Sequence, residues 1–81
     1  MIKRKYNEYE IFSKNVKMYR HKINLTQEQL AEKAYCSTSY IKQIESQKEF
    51  KNVTLLTVIN ICNALDIKIA ELFTKDTSRT D

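Results

Sequence analysis

The 81-residue sequence has no glycine, no proline and no tryptophan. The first absence excludes glycine-rich loops that cradle phosphates, and it removes the residue that tight β-hairpins use for their turns. The second excludes polyproline segments and stiff proline linkers. Cysteine and histidine are nearly as scarce. Cys36 and Cys62 do not form a short-spaced pair, and His21 is the only histidine, so this inventory builds no zinc site. Both cysteines sit in apolar patterns and read as free thiols in a reducing compartment. No apolar run approaches the length that crosses a bilayer, so no membrane partner is expected. Basic Met1–Lys5 is followed by polar Tyr6–Glu10 rather than the apolar stretch of a secretory signal, and a cytoplasmic location is expected. Nothing is spaced as a catalytic group, a metal cluster or a phosphate loop. The expectation is a protein that is not an enzyme and takes no cofactor.

What is present suits short helices joined by brief turns. The length is that of one domain with a small core, to which a partner subunit would add useful stability. The net charge is +4, unevenly spread. Residues 1–51 hold 11 basic and 6 acidic groups, or +5; residues 52–81 hold 3 and 4, or −1. A basic first part suggests an anionic partner met by one face. A solvated lysine-rich surface is the plainer alternative.

Residues 1–8 read as a basic flexible N-terminus, 9–74 as the folded domain and 75–81 as a polar tail. Phe12, Val16, Tyr19 and Ile23 recur at steps of four, three and four. This predicts a helix over roughly 9–22, with Lys14, Lys17 and Lys22 off its apolar face. Thr26, with Gln29 three residues on, is a capping-box pattern that opens a helix from Gln27 to near Ala34. Leu30, Ala31 and Ala34 form its inner face. After a break at Tyr35 and Cys36, Ser37 caps a third helix ending near Gln47, with Ile41 and Ile44 inward. Residues 48–53 read as a loop. Thr54 caps a fourth helix carrying Leu55, Val58, Ile59, Cys62 and Leu65, and Asp66 ends it. Ile69, Leu72 and Phe73 form a short fifth helix.

The segment Gln27–Ser46 brings these elements to a purpose. Ala31 suits the point where its two helices cross, because a larger side chain would push them apart. Cys36 is a small apolar plug past the turn. The second helix turns short polar groups outward: Thr38, Ser39, Lys42 and Gln43. A helix fits the major groove of duplex DNA, and its first turns meet base edges. Gln43 suits a bidentate bond to adenine; Thr38 and Ser39 suit bases or a thymine methyl. The plainer alternative for each is a solvated helix face. Tyr19, Phe12 and Phe73 fit the core rather than a stacking platform; Tyr6, Tyr9 and Phe50 have no assigned place, and His21 reads as a surface residue.

The stretches NLTQEQLAEKA, STSYIKQIES and VTLLTVINICNALDIKIAELF, within Val16–Phe73, make the chain resemble the Cro/C1-type (XRE-like) helix-turn-helix family. The resemblance implies an all-α, compact five-helix, lambda-repressor-like fold and sequence-specific binding of double-stranded DNA. It implies that Gln27 bonds a phosphate and steadies Thr38 or Ser39. Thr38, Ser39 and Gln43 would then lie at the bases, Tyr40 and Lys42 beside them, and Ser46 and Lys48 on phosphate, with the capping Ser37 also in the DNA-binding set. It also implies a structural ion pair between Arg20 and Glu45. The chain departs from the family at Tyr35 and Gln47, where glycine is usual, and in a longer loop that contains Phe50. If the backbone at Tyr35 is left-handed, that residue carries strain of about 1–2 kcal/mol.

One reading helix reads few bases, so a homodimer on an inverted-repeat operator is expected, with Ile67, Ile69, Leu72 and Phe73 as its interface. Closing the monomer core is the alternative role for these four. Two subgroups fit: the controller proteins of restriction-modification systems, which regulate their own operon, and phage or mobile-element repressors. Repression needs occupancy alone. Activation would need contact with RNA polymerase, for which Glu28, Glu32 and Glu49 are available. The rival reading is an antitoxin or adaptor whose main partner is a protein; the lack of an effector domain favours it, and the polar reading face with Lys42, Lys48 and Lys51 opposes it.

Overall fold

The computed structural model describes residues 7–46 and 52–75. Five helices follow one another: α1 (Asn7–Lys22), α2 (Gln27–Lys33), α3 (Thr38–Ser46), α4 (Leu55–Leu65) and α5 (Ile69–Leu72). No strand occurs among the described residues. The expected places of Lys48, Glu49, Phe50, Lys51, Gln47 and Tyr6 lie outside those residues.

Local chemistry sets the helix ends. α1 carries Glu8 and Glu10 in its first turn and Arg20, His21 and Lys22 in its last, both favourable to the helix dipole. Thr26 closes a capping box with Gln29: its Oγ1 accepts from the Gln29 amide at 3.0 Å, and its own amide donates to Gln29 Oε1 at 2.8 Å. Ser37 Oγ accepts from the Tyr40 amide at 3.1 Å, and Thr54 Oγ1 from the Thr57 amide at 3.2 Å. Each such cap contributes about 1 kcal/mol.

Three C-termini close alike although the chain has no glycine. Asn24, Tyr35 and Asp66 take φ near 58°, 58° and 59°. The following residue then donates back five positions: Leu25 to Arg20 O, Cys36 to Ala31 O and Ile67 to Cys62 O, each at 3.0 Å. This is the Schellman closure, which satisfies carbonyls that the helix end leaves over. Asn and Asp tolerate the left-handed region through their short polar side chains; tyrosine does not.

One core joins all five helices. Phe12 and Val16 of α1 meet Leu30, Ala31 and Ala34 of the α2 segment, Ile41 and Ile44 of α3, Val58, Ile61, Cys62 and Leu65 of α4, and Leu72 of α5. Burying a large apolar side chain stabilises by about 1.5–3 kcal/mol. Three expected core positions fall elsewhere, and one of them, Ile59, is only half-buried and does not join the core. Ile23 lies past the end of α1 and is exposed, because the turn at Asn24 sends Leu25 back to the core in its place. Leu55 is exposed and Ile61 is fully buried. α4 is apolar on most sides, so two stripes compete in its sequence, and the packed one runs through Val58, Ile61, Cys62 and Leu65.

α5 has four residues and is too short to persist alone. Leu72 anchors it from inside. The Phe73 ring stacks on Phe12, with centroids 5.4 Å apart and planes 13° from parallel. Buried Asn15 of α1 supplies the polar half of the clamp: its Nδ2 donates to the carbonyls of Leu72 (2.8 Å), Thr74 (3.0 Å) and Glu71 (3.3 Å). Ser13, also buried on α1, has no partner for its hydroxyl among the described residues. Removing a buried, unbonded hydroxyl relieves its desolvation cost. Ser13→Ala is therefore expected to stabilise by about 1 kcal/mol, read as a rise in thermal midpoint; a fall would show that the hydroxyl is bonded.

Candidate nucleic-acid interface

The candidate interface is built on α3, whose two faces differ sharply. Ile41 and Ile44 are fully buried and Glu45 nearly so. Opposite them, Ser39, Lys42, Gln43 and Ser46 are exposed. These four follow at steps of three, one and three, which is one side of a helix. Thr38 is half-buried, so less of it is available than of Ser39. Ser37 is exposed but its hydroxyl caps the helix. The Ser46 hydroxyl donates to the Gln43 carbonyl at 3.0 Å. Lys48 lies outside the described residues.

A buried charged network holds this helix against α1 and α2. The Arg20 guanidinium grips Glu45 in a fork, Nε to Oε2 at 2.8 Å and a terminal nitrogen to Oε1 at 2.9 Å. Its other nitrogen donates to the Leu25 carbonyl at 2.8 Å, tying in the α1–α2 turn. Gln27 Nε2 donates to the same Glu45 Oε1 at 3.1 Å. Gln27 therefore steadies Glu45, and not Thr38 or Ser39 as the resemblance had implied. The reason is chemical: an ionised carboxylate has lone pairs left over after binding the fork, and a bond to it is stronger than one to a neutral hydroxyl. Arg20 of α1 and the first residue of α2 thus share the one carboxylate in the last turn of α3. His21 borders the network, with Nε2 3.2 Å from Arg20.

Tyr40 is half-buried against the core, and its hydroxyl donates to the Asn52 carbonyl at 3.1 Å. It works as a strut between α3 and the residues before α4. Burial raises its phenol pKa, opposed by the Thr57 hydroxyl of α4. The sequence placed Tyr40 beside the reading set and did not disclose this bond. Asn15 was likewise missed, although a polar residue on the Phe12–Val16–Tyr19 stripe is a legible sign of a buried amide that needs partners.

Burial pushes the thiols of both Cys36 and Cys62 above the ordinary cysteine value. Burial thus disfavours the thiolate, the form in which cysteine is a nucleophile. Among the described residues, no three His, Cys, Asp or Glu side chains group as metal ligands would, and no helix is long and apolar enough to cross a membrane.

Four residues were expected to face a partner subunit, and the structure divides them. Leu72 is fully buried inside its own domain and is withdrawn from that surface. Ile67 is half-buried on the core. Ile69 and Phe73 are exposed by 41% and 39%, and the unforeseen Leu55 and Leu56 by 68% and 66%.

Two short helices packed through small and branched apolar residues, the second with a polar outer face, define a helix-turn-helix DNA-binding regulator. Comparison with known proteins agrees. The helix-turn-helix family model matches residues 16–72. Control protein C.SmaI of Serratia marcescens is 41% identical over 66 residues, which cover 82% of this chain and 76% of that protein. The crystal structure of the restriction-modification controller protein C.AhdI from Aeromonas hydrophila superposes with a TM-score of 0.75 at 31% identity, covering 84% of this chain and all of that one. A hypothetical transcription factor from Neisseria shares the fold, with a TM-score of 0.81 at 19% identity over 90% of this chain and 80% of that one. The chain belongs to the Cro/C1-type (XRE-like) helix-turn-helix family of DNA-binding transcriptional regulators. That family is one of regulators rather than enzymes.

Proposed function

We propose that this chain is a controller-type regulator that binds an inverted-repeat operator as a homodimer and regulates its own operon. The observation that carries this reading is the exposed set Ser39, Lys42, Gln43 and Ser46 on a helix whose opposite face is locked into the core. Such a face enters the major groove at little entropic cost, because its backbone is already ordered. In this reading Gln43 bonds adenine; Thr38 and Ser39 meet neighbouring base edges; Ser37 and Tyr40 border them. Lys42, Gln27, Ser46 and Lys48 serve the phosphates.

The relatives named as control and controller proteins support that role over a phage-type repressor. A two-fold dimer would set two α3 helices about 34 Å apart on one side of the duplex. Exposed Ile69 and Phe73, with Leu55 and Leu56, are the apolar groups that support a partner surface. Exposed Glu28 and Glu32 are available to RNA polymerase if the regulator activates. A cytoplasmic location follows from that function. A sedimentation measurement that finds only monomer at micromolar concentration would remove the dimer.

The base-reading assignment is tested by Gln43→Ala. Losing one bidentate base contact removes about 1–3 kcal/mol of discrimination and leaves non-specific binding in place. The ratio of operator to random-duplex affinity should fall accordingly. Equal weakening on every duplex would move Gln43 to the backbone.

A further inference from the structure

Among the described residues, three helices are closed by a following residue with positive φ, and two of those three residues are suited to it. Asn24 and Asp66 have the short polar side chains that the left-handed region tolerates. Tyr35, between α2 and α3, does not. Its φ is 58° and it is 85% exposed, the most exposed large apolar side chain described. Its side chain has no hydrogen bond and no ring partner among the described residues. Neither backbone preference nor packing accounts for a tyrosine here. Residues held against their preference, with no internal compensation, mark places where an external contact uses the side chain.

The place is specific. Tyr35 stands two residues before Ser37, which caps α3, and three before Thr38, which begins it. It therefore projects from the turn that feeds the reading end of α3. We propose that Tyr35 contacts the sugar-phosphate backbone of duplex DNA, its hydroxyl donating to a phosphate oxygen and its ring lying on the adjoining sugar. Tyrosine is among the side chains that make such contacts, and it suits an anion because it carries a donor without needing a counter-charge. The assignment rests on α3 being the DNA-reading helix, and it adds a contact from outside that helix.

A neutral contact has a signature that a lysine contact lacks. Each phosphate neutralised by a cation adds about −0.9 to the slope of log affinity against log salt. A phenol releases no counterion, so its loss lowers affinity and leaves the slope alone. The test compares the full chain with Tyr35→Asn and Tyr35→Phe on a random-sequence duplex and on the DNA upstream of its own gene. Tyr35→Asn removes the side chain at a position asparagine tolerates, so its thermal midpoint should rise. Its affinity should fall about tenfold on both duplexes, the equivalent of one bond to a charged acceptor. The salt slope should not change. Tyr35→Phe should show most of that loss with an unchanged midpoint, because only the hydroxyl is gone. Undiminished affinity in Tyr35→Asn, beside a wild-type chain that binds, would overturn the contact alone. A loss confined to the upstream DNA would overturn the backbone assignment in favour of a base contact. If the wild-type chain binds neither duplex, the reading of α3 falls and this contact falls with it.

Discussion

Replacing Glu45 with alanine is expected to destabilise the domain by about 3–5 kcal/mol, enough to unfold much of a protein this small at room temperature. Glu45 sits at the junction of three elements: Arg20 of α1 grips both its oxygens and Gln27 of α2 shares one. Arg20 and Glu45 are each less than a tenth exposed. Removing the carboxylate would leave a guanidinium in the interior with only neutral neighbours at hydrogen-bond distance, the Leu25 carbonyl and the His21 ring. That orphaned charge, more than the lost attraction, makes the effect large. Denaturant unfolding of Glu45→Ala reads it directly. The double replacement Arg20→Met with Glu45→Leu provides the contrast, because removing both charges together should restore most of the stability. If the single variant loses less than about 1 kcal/mol, the pair behaves as a surface ion pair and does not anchor α3.

Leu72→Ala is expected to cost about 2–5 kcal/mol, and its sign for the architecture matters as much as its size. The sequence offered Leu72 to a partner subunit. The structure places it wholly inside its own domain, at the one point where α5 enters the core. Truncation there opens a cavity and frees a four-residue helix whose other holds are the Phe12–Phe73 stack and the Asn15 amide. The loss of stability should therefore not depend on protein concentration, since no second chain is involved. Phe73→Ala and Ile69→Ala would show the opposite dependence if those residues meet a partner. A Leu72→Ala chain with full monomer stability and weakened association would contradict the packing described for α5.

Much of this was legible in the residues, for identifiable reasons. Thr26, Ser37 and Thr54 are short oxygen-bearing side chains ahead of apolar periodicity, and each caps the helix it was read to cap. Asp66 closes α4 where it was read to. The split of α3 follows from Ile41 and Ile44 at a spacing of three, which leaves few ways to orient the rest. What failed shares another cause. α4 is apolar at too many positions for periodicity to select a face, so Leu55 was placed inside and Ile61 overlooked. Ile23 continued the α1 stripe on paper, but the helix ends one residue earlier. Apart from the Arg20–Glu45 pair that the resemblance implied, bonds made across the chain were not legible, because no local pattern encodes them: Asn15 reaches α5, Tyr40 reaches Asn52, and Gln27 turns to Glu45. The exposed face of α3 was therefore legible, and the bonds that support it were not. Residues such as Gln27 and Tyr40 support α3 as well as border its outer face.

If the outer face of α3 reads a particular DNA sequence, the protein distinguishes its operator from random duplex. The most direct measurement is a mobility shift on the DNA upstream of the protein's own gene, at physiological salt, against excess random duplex. A discrete complex that survives the competitor is expected, because base contacts add to the sequence-independent hold on the backbone. A complex abolished by competitor would contradict self-regulation. The same result on a pool of duplexes selected for binding would contradict sequence-specific reading altogether, and leave the helix-turn-helix as a surface for a protein partner.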